Sequence, residues 1–232
     1  MKQNIYEVEK NVEKILRGKA TGFLTSNVRL AIQNRLKKKE YNVFLPFKEA
    51  EKVILYADVT PKVHLFQICC YKDDELRHSS IMGSLFGLNI TSEMFGDIVK
   101  WQNSFYVYLT DDVSELVVQE LKFIGSIPVC LKEVPIELLS EFDRTYEKIE
   151  LIVSSLRTDT VIAKLIGCNR DEIYNKIRDK EIFINEIPVK RASNLLCVGD
   201  VFSIRKYGKF IFREIIGETK KGNLIVDIDK YI

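Results

Sequence analysis

Hydrophobic residues recur every three or four positions near the start of the chain, a spacing that predicts helices. One helix is predicted over residues 3–17. A second is predicted from about Ser26 to Lys38, with Leu30 on its apolar side. Residues 1–40 are therefore expected to form an N-terminal helical segment.

Short apolar strands alternate with helical segments over residues 41–145. Strands are predicted at "NVFLPF", "VHLFQICCY", "SFYVYLT" and "IPVCLKEV", and helices at "KEAEKVILYAD", "SSIMGSLFGL" and "VSELVVQELKFIG". This order suits a β-α-β-β-α-β sandwich, so an RRM-like α/β domain is expected here. The aromatic strand motif with which such folds stack bases is missing, and strand aromatics belong more often to the core.

Two short helices are predicted after a domain boundary near residues 140–153. The first has Ser154 and Ser155 as N-cap candidates and ends at Gly167. Its buried positions are Val161, Ile162 and Leu165.

The second short helix, "RDEIYNKIRDK", begins after Asn169, which has the capping-box spacing to Glu172. Ile173 and Ile177 form its buried side, so basic side chains are displayed outward. These basic residues are Arg170, Lys176, Arg178 and Lys180. On composition alone, they indicate an ordinary solvated helix face.

A small sheet is predicted after the two helices, from the segments "EIFIN", "IPV", "VFSIR", "KFIFREII" and "LIVDID". The turn "GETKKGN" places Lys220 and Lys221 beside two glycines. Such a turn presents cations and backbone N–H groups to a phosphate at low steric cost.

The composition is that of a globular protein, with 46% hydrophobic and 29% charged residues among 232. No apolar run approaches the roughly 18 residues of a membrane span, and the first 20 residues, which are rich in Glu, do not form a secretory signal. The 5 cysteines form no C-x-x-C pair, so we expect them to be reduced and mostly buried in a cytosolic protein. With only 2 histidines, a His-rich metal site is not expected. The sequence has no strand-linked G-x-G loop for S-adenosylmethionine or a nucleotide, so no cofactor is expected.

The charge is divided unevenly along the chain. Residues 1–150 hold 20 Lys+Arg and 22 Asp+Glu, a net of −2, whereas residues 151–232 hold 15 and 11, a net of +4. The total of +2 therefore hides a basic C-terminal part, which suggests a division of labour between the two parts.

The C-terminal motifs resemble the S-four RNA-binding domain, which is named after small-subunit ribosomal protein four and is also called the alpha-L motif. The segments "SLRTDTVIAKLIGCNRDEIYNKI", "INEIPVK" and "VGDVFSIR" carry the resemblance. The matching positions are Arg157, Asp159, Leu165, Gly167, Asn169, Arg170, Gly199 and Asp200. The overall prediction is an α+β chain with an S-four domain, a two-helix unit plus a short sheet, at residues 150–232.

Nearly the whole chain resembles the YlmH family of bacterial RNA-binding proteins. The tail from "GDVFSIR" onward and the segments "GFLTSNVRLAI", "HSSIMGSLFGLNITSEMFGDI" and "FIGSIPVCLKEVP" match in order. The resemblance implies a non-catalytic, cytoplasmic protein that binds rRNA and tRNA on the large ribosomal subunit, in quality control of stalled peptidyl-tRNA. The N-terminal domain would orient the S-four unit or bind a protein partner, and no membrane is involved.

The resemblance also implies that the basic face binds RNA, mainly through phosphates. The expected RNA-binding residues are Arg157, Asn169, Arg170, Lys176, Arg178, Lys180, Lys190, Arg191, Arg205, Lys206, Lys209, Lys220 and Lys221. The chain departs from the S-four pattern at Lys180 and Glu186, where the family usually has Gly. Glu186 is expected to need a positive φ in its turn.

Two other functions stay open. An RNA-modifying enzyme within residues 1–140 would use His78 as a base oriented by Asp97. A structural role for both residues is preferred, because no nucleophile or metal cluster accompanies them. The third possibility is an interaction protein linked to cell division.

Overall fold

The computed structural model describes residues 2–36, 41–70 and 76–232, with side chains from residue 5 onward. The chain divides into two compact units, Met1–Asp143 and Arg144–Ile232, each with its own core. The fold is α+β, as predicted. The N-terminal helices and the RRM-like region lie within one unit.

The first unit opens with two helices and a small hairpin. These elements are α1 (Lys2–Leu16), α2 (Ser26–Gln33), β1 (Asn42–Phe44) and β2 (Ile54–Tyr56). The second helix ends earlier than predicted, and Leu30 is exposed because Val28 and Ile32 form the buried side of α2. The predicted end of the helix at Lys38 lies outside the described residues.

The predicted helix at "KEAEKVILYAD" is wrong, because its second half forms β2. Val53, Ile54 and Leu55 are all fully buried. Three consecutive buried residues do not fit one face of a surface helix, whereas a strand covered on both sides buries them all.

The rest of this unit is a five-stranded antiparallel sheet with two helices. Its elements are β3 (Val63–Cys70), α3 (His78–Gly87), β4 (Phe95–Trp101), β5 (Ser104–Thr110), α4 (Asp111–Glu120), β6 (Phe123–Ile124), β7 (Ile127–Val134) and a 3-10 helix (Ile136–Glu141). The strands lie side by side in the order β4-β5-β3-β7-β6. Elements β3, α3, β4, β5, α4 and β7 follow one another as β-α-β-β-α-β, although β4 was not predicted as a strand. Helix α4 is shorter than predicted, because Phe123 and Ile124 pair with β7 around a turn at Gly125.

Both faces of this sheet are covered. Helices α3 and α4 pack on one face through a core that includes Phe66, Leu85 and Val117. On the other face, residues from the N-terminal segments and the 3-10 helix cover Tyr106 and Tyr108, which are 5% and 0% exposed.

The second unit is a six-stranded antiparallel sheet with two short helices. Its elements are β8 (Tyr146–Val153), α5 (Thr158–Ile166), α6 (Arg170–Arg178), β9 (Ile182–Ile184), β10 (Ile187–Pro188), β11 (Val201–Ile204), β12 (Gly208–Glu218) and β13 (Leu224–Tyr231). The strand order is β10-β9-β11-β12-β13-β8. The predicted helices and strands are present, and β8, which was not predicted, adds an edge strand along β13.

The helices of the second unit meet at the tight turn that the sequence predicted. Gly167 ends α5 with a φ of 68°, a left-handed conformation in which glycine carries no side-chain penalty. Val161 and Ile162 of α5 and Ile173 and Ile177 of α6 are buried, as predicted. These side chains close the core of the unit against the sheet.

The cysteines are less buried than expected. Cys69, Cys70 and Cys168 are half-buried, and Cys130 and Cys197 are exposed. The prediction that most are buried is wrong for Cys69 and Cys70 because they lie at the end of β3, where the sheet is only partly covered.

Candidate nucleic-acid interface

The first turn of α5 is built around a buried carboxylate. Asp159 is fully buried, and the Arg157 guanidinium donates from Nε to Oδ1 at 3.0 Å and from Nη2 to Oδ2 at 2.7 Å. The hydrogen bonds from Arg157 hold the pKa of Asp159 below its ordinary value. These two hydrogen bonds fix the plane of the Arg157 guanidinium. The Arg157 side chain is still 38% exposed.

The predicted N-caps Ser154 and Ser155 are wrong, because α5 begins at Thr158 after Arg157. The backbone N–H and the hydroxyl of Thr158 both donate to the Asn194 carbonyl, at 2.8 and 2.9 Å. A loop distant in sequence therefore sets where the helix begins, which a local capping pattern does not reveal.

The same loop brings Lys190 and Arg191 close to the start of α5. The neighbouring Ala192 carbonyl accepts the backbone N–H of Asp159 at 3.1 Å. Both basic side chains are exposed. The backbone beside these two residues therefore lies against the first turn of α5.

An exposed stripe of three residues runs along α6. Arg170, Tyr174 and Arg178 are spaced four apart, which places them on one face of the helix. Arg170 Nη2 donates to the Thr160 hydroxyl at 3.1 Å, and the Tyr174 hydroxyl lies 3.5 Å from Asp159 Oδ2. Tyr174 is 50% exposed. The sequence analysis missed Tyr174, although its spacing from the two arginines was a usable signal.

Lys176 does not extend freely outward as predicted. Its Nζ lies 3.0 Å from Glu181 Oε2 and 5.3 Å from the centre of the Tyr207 ring, and its side chain is 19% exposed. The hydrogen bond to Glu181 raises the pKa of Lys176. The Lys176 charge is therefore directed into the unit. Through Glu181 and Tyr207, this lysine joins the end of α6 to the β11–β12 turn.

The end of α6 and the β11–β12 turn form one basic surface. The Glu181 carbonyl accepts the backbone N–H of Arg205 at 2.9 Å, so Lys180 lies next to the turn that carries Arg205 and Lys206. All three basic side chains are exposed. Arg178 pairs with the adjacent Asp179 at 3.1 Å, and a pair so exposed holds its partners weakly.

The structure does not bring every predicted residue to this surface. Lys209 is half-buried on the sheet, with its Nζ 5.2 Å from the centre of the Tyr231 ring. Lys220 and Lys221 are exposed in the β12–β13 turn, at the other end of β12. At roughly 3.3 Å per residue, that turn lies about 30 Å along the strand from Lys209.

Asn169, also predicted to bind RNA, caps α6. Its Oδ1 accepts the Glu172 backbone N–H at 2.9 Å, and its Nδ2 donates to Glu172 Oε1 at 2.7 Å. Asn169 is therefore confirmed as the N-cap of α6. Both polar atoms of the side chain are thus used in positioning the helix.

The β9–β10 turn has the backbone conformation expected from the sequence. Asn185 and Glu186 have φ values of 48° and 66°, as expected for a two-residue hairpin turn. Asn185 Oδ1 accepts the Val201 N–H at 2.9 Å, and its Nδ2 donates to Asp200 Oδ1 at 2.8 Å. The Gly-Asp motif therefore holds this turn in place.

Two tyrosines of β5, Tyr106 and Tyr108, are not open for base stacking. The Tyr108 hydroxyl reaches the Pro46 carbonyl at 3.4 Å, and burial raises the pKa of this tyrosine. In β4, Gly96 leaves room for the Phe23 ring, which would lie 2.8 Å from a Cβ at that position. Tyr106 and Tyr108 therefore belong to the core, as the sequence analysis preferred.

Asp97, which the enzyme hypothesis pairs with His78, has a structural role in the fold. Asp97 Oδ2 accepts the Glu51 backbone N–H at 2.7 Å, which ties β4 to the segment before β2. Among the described residues, no group of three His, Cys, Asp or Glu side chains is arranged to hold a metal ion. No helix in the described part of the chain is long and apolar enough to cross a membrane.

Sequence and structure comparisons relate this chain to known proteins. Residues 62–138 match a family model described as "Putative RNA-binding domain in YlmH". Ribosome-associated protein quality control protein P2 of Bacillus subtilis (strain 168) is 26% identical over 189 residues, covering 78% of this chain and 74% of that protein. A solved structure, cell division protein ylmH from Streptococcus pneumoniae, is 21% identical, covers 58% of this chain and 90% of its own, and has a TM-score of 0.47.

The predicted resemblance to the YlmH family is confirmed by the family model and by the Bacillus relative. The matched model covers the five-stranded sheet of the first unit. The assignment of residues 150–232 to the S-four domain is not tested by these matches and stays a prediction.

Proposed function

We propose that this chain is a non-catalytic RNA-binding protein that acts on the ribosome in the cytoplasm. Its second unit would bind RNA through the surface formed by α6, the loop with Lys190 and Arg191, and the β11–β12 turn. The family-model description and the name of the Bacillus relative support an RNA-binding, ribosome-associated role. The proposed target is rRNA and tRNA on the large subunit, where a stalled peptidyl-tRNA is processed.

The observation that carries the proposal is the exposed stripe of Arg170, Tyr174 and Arg178, which continues into Lys180 and the β11–β12 turn. Cations spaced along a rigid helix contact successive phosphates of a folded RNA, and such contacts read shape more than sequence. The Arg157–Asp159 pair presents a further guanidinium in a fixed orientation. Binding of this kind positions the RNA and requires no covalent step.

Removing two charges from the stripe tests the proposal. We expect R170A/R178A to weaken binding to ribosomal particles by about tenfold or more. The slope of log affinity against log salt concentration should fall by the equivalent of about one to two phosphate contacts. Affinity is measured by co-sedimentation with purified large subunits over a series of salt concentrations. Arg178 pairs with an exposed neighbour and Arg170 with a hydroxyl, so folding should be little affected.

Two variants serve as controls for this test. R170K/R178K keeps the charge and should retain most of the affinity. K19A/K48A removes two exposed charges of the first unit that lie outside the region matched by the family model, and it should bind like the unchanged protein. If R170A/R178A co-sediments as tightly as K19A/K48A, the surface is wrongly assigned. An RNA-modifying enzyme would instead leave a modified nucleotide missing from rRNA or tRNA when its gene is deleted.

A further inference from the structure

Two cysteines lie directly opposite each other on neighbouring strands of the first unit. Cys69 of β3 and Cys130 of β7 are register partners in the antiparallel sheet. Cys130 is exposed to solvent and Cys69 is half-buried. These two residues are called the cross-strand cysteines below.

The cross-strand cysteines point to the same face of the sheet. Cys70 packs against the core between the sheet and the helices α3 and α4, and Val129 is buried in that core. Neighbouring residues in a strand point to opposite faces, so Cys69 and Cys130 both point to the other face. The pKa of Tyr106, which belongs to the cluster on that other face, agrees with this placement, because burial raises it and the Cys69 thiol raises it further.

The separation of the two backbones suits a disulfide bond. Residues directly opposite each other in an antiparallel pair have Cα atoms about 4.5–5.5 Å apart. The Cα atoms of disulfide-bonded cysteines are usually roughly 4.4–6.8 Å apart. The strands β3 and β7 therefore hold the cross-strand cysteines at a distance that a disulfide can span without a change in register.

This end of the sheet face is open to a small reagent. Gln67 and Lys132 are the next register partners on the same face, and they are half-buried and exposed, respectively. The Lys132 cation favours the approach of a reagent that carries carboxylates. A small anionic molecule can therefore approach the exposed Cys130 thiol from solvent.

We propose that the cross-strand cysteines form a reversible disulfide by exchange with an anionic low-molecular-weight disulfide. The Cys130 thiolate attacks one sulfur of the reagent, which breaks the reagent's S–S bond and releases one thiolate. The Cys69 thiolate then attacks Cys130 Sγ in the mixed disulfide and releases the second thiolate. The two protein thiols are oxidised, and the reagent is reduced to two thiols that take up the two protons given up by the cysteines.

The disulfide would stabilise the first unit under oxidising conditions. It joins β3, which is paired on both edges, to β7 and closes a loop of about 60 residues that contains α3, β4, β5, α4 and β6. Such a constraint lowers the entropy of the unfolded chain. Both strands lie within residues 62–138, the region that the family model matches, so the inference does not depend on the RNA-binding surface assigned to the second unit.

Peptide mapping of the full chain tests whether the bond forms. The reduced protein is equilibrated with mixtures of oxidised and reduced glutathione, quenched with acid and alkylated, and its tryptic peptides are analysed by mass spectrometry. We expect a linked peptide pair that joins Cys69 to Cys130. Glutathione adducts on Cys130 without this link, or a link from Cys130 to Cys168 or Cys197 in its place, would overturn the proposal.

Two serine variants control the assignment. Cys70 is adjacent to Cys69 and equally half-buried, but its register partner is Val129, so C70S should form the link in the same yield as the unchanged chain. C130S should give no link from Cys69 within the first unit. If C70S removes the link, the bond involves the wrong cysteine and the proposal fails. Mapping of the unchanged chain decides the question even where a variant does not fold.

Unfolding experiments test the role of the fold and the effect of the bond. The oxidised chain should have a urea midpoint about 1 M higher than the reduced chain, and C130S treated in the same way should show no rise. Dithiothreitol should reverse the change. When oxidation is carried out in concentrated urea, the yield of the Cys69–Cys130 link at a limiting glutathione disulfide concentration should fall about tenfold, because the strands no longer hold the thiols together. An unchanged midpoint or an equal yield in urea would contradict the proposal.

Discussion

Lys180 and Glu186 show how single residues in this protein depart from backbone preference. Their φ values are 55° and 66°, in the left-handed region where a side chain costs about 1 kcal/mol or more. Lys180 follows the end of α6, where a cation interacts favourably with the helix dipole and where it is exposed to a phosphate. Glu186 completes the turn that Asn185 and Asp200 hold.

Glycine at either position should stabilise the fold. We expect Lys180→Gly and Glu186→Gly each to raise the free energy of unfolding by about 0.5–1 kcal/mol, because glycine adopts positive φ without a steric penalty. The measurement is the urea midpoint of unfolding. Lys164→Gly, within α5, is the matched control and should lower stability by about 1 kcal/mol. Strain in the turn is ruled out if Glu186→Gly behaves like that control.

His64 is the residue whose charge should couple stability to pH. Its Nδ1 lies 2.7 Å from Glu133 Oε1 and its Nε2 lies 2.9 Å from Asp111 Oδ1. An imidazolium donates to both carboxylates at once. The hydrogen bonds to Glu133 and then to Asp111 raise the pKa of His64 above its ordinary value of 6.5.

The sign of the pH effect follows from this raised pKa. The stabilisation is fully present below the unfolded pKa of about 6.5 and is lost as the pH rises through the higher folded value. In His64→Gln, the free energy of unfolding measured by urea titration should no longer decline above about pH 6.5. In His78→Gln, the decline should remain. An unchanged decline in His64→Gln would show that another group is responsible.

At the scale of elements, β8 shows why a strand can be missed. Its segment "YEKIELIV" carries three charged residues and lies where a linker was expected. Only one of its edges is paired, along β13, and its inward residues Ile149, Leu151 and Val153 complete the core of the second unit. The partner residues Val226 and Ile228 are fully buried as a result.

Removing β8 should therefore unfold the second unit. We expect a fragment of residues 144–232 to unfold cooperatively and a fragment of residues 154–232 to lose that transition. Burial of each large aliphatic side chain contributes about 1.5–3 kcal/mol, so losing three and exposing their partners removes much of a typical domain's stability. Far-ultraviolet circular dichroism during urea titration measures both fragments. Equal midpoints would mean that β8 is dispensable.

At the scale of the whole molecule, the two units divide surface chemistry between them. The first unit covers both faces of its sheet, so aromatic side chains that would stack bases in an open sheet serve as core. The second unit exposes cations on α6 and the β11–β12 turn. The near-neutral total charge of +2 therefore accompanies a localised basic surface.

The sequence by itself determined what depends on neighbours along the chain. The turn at Gly167, the N-cap Asn169, the positive φ of Glu186 and the strands β3, β5 and β7 were all predictable. Each follows from local spacing or from the conformational preference of single residues. The resemblance to the YlmH family likewise rests on ordered local motifs.

Only the tertiary structure decided what depends on distant partners. Asn194 sets the start of α5, Glu181 withdraws the charge of Lys176 from the surface, and β13 turns a charged segment into the strand β8. The separation of Lys220 from Lys209 and the pairing of Tyr146 with Tyr231 follow from the antiparallel register of β8, β12 and β13. A sequence pattern records the spacing of residues along one element, whereas these contacts arise from packing between elements.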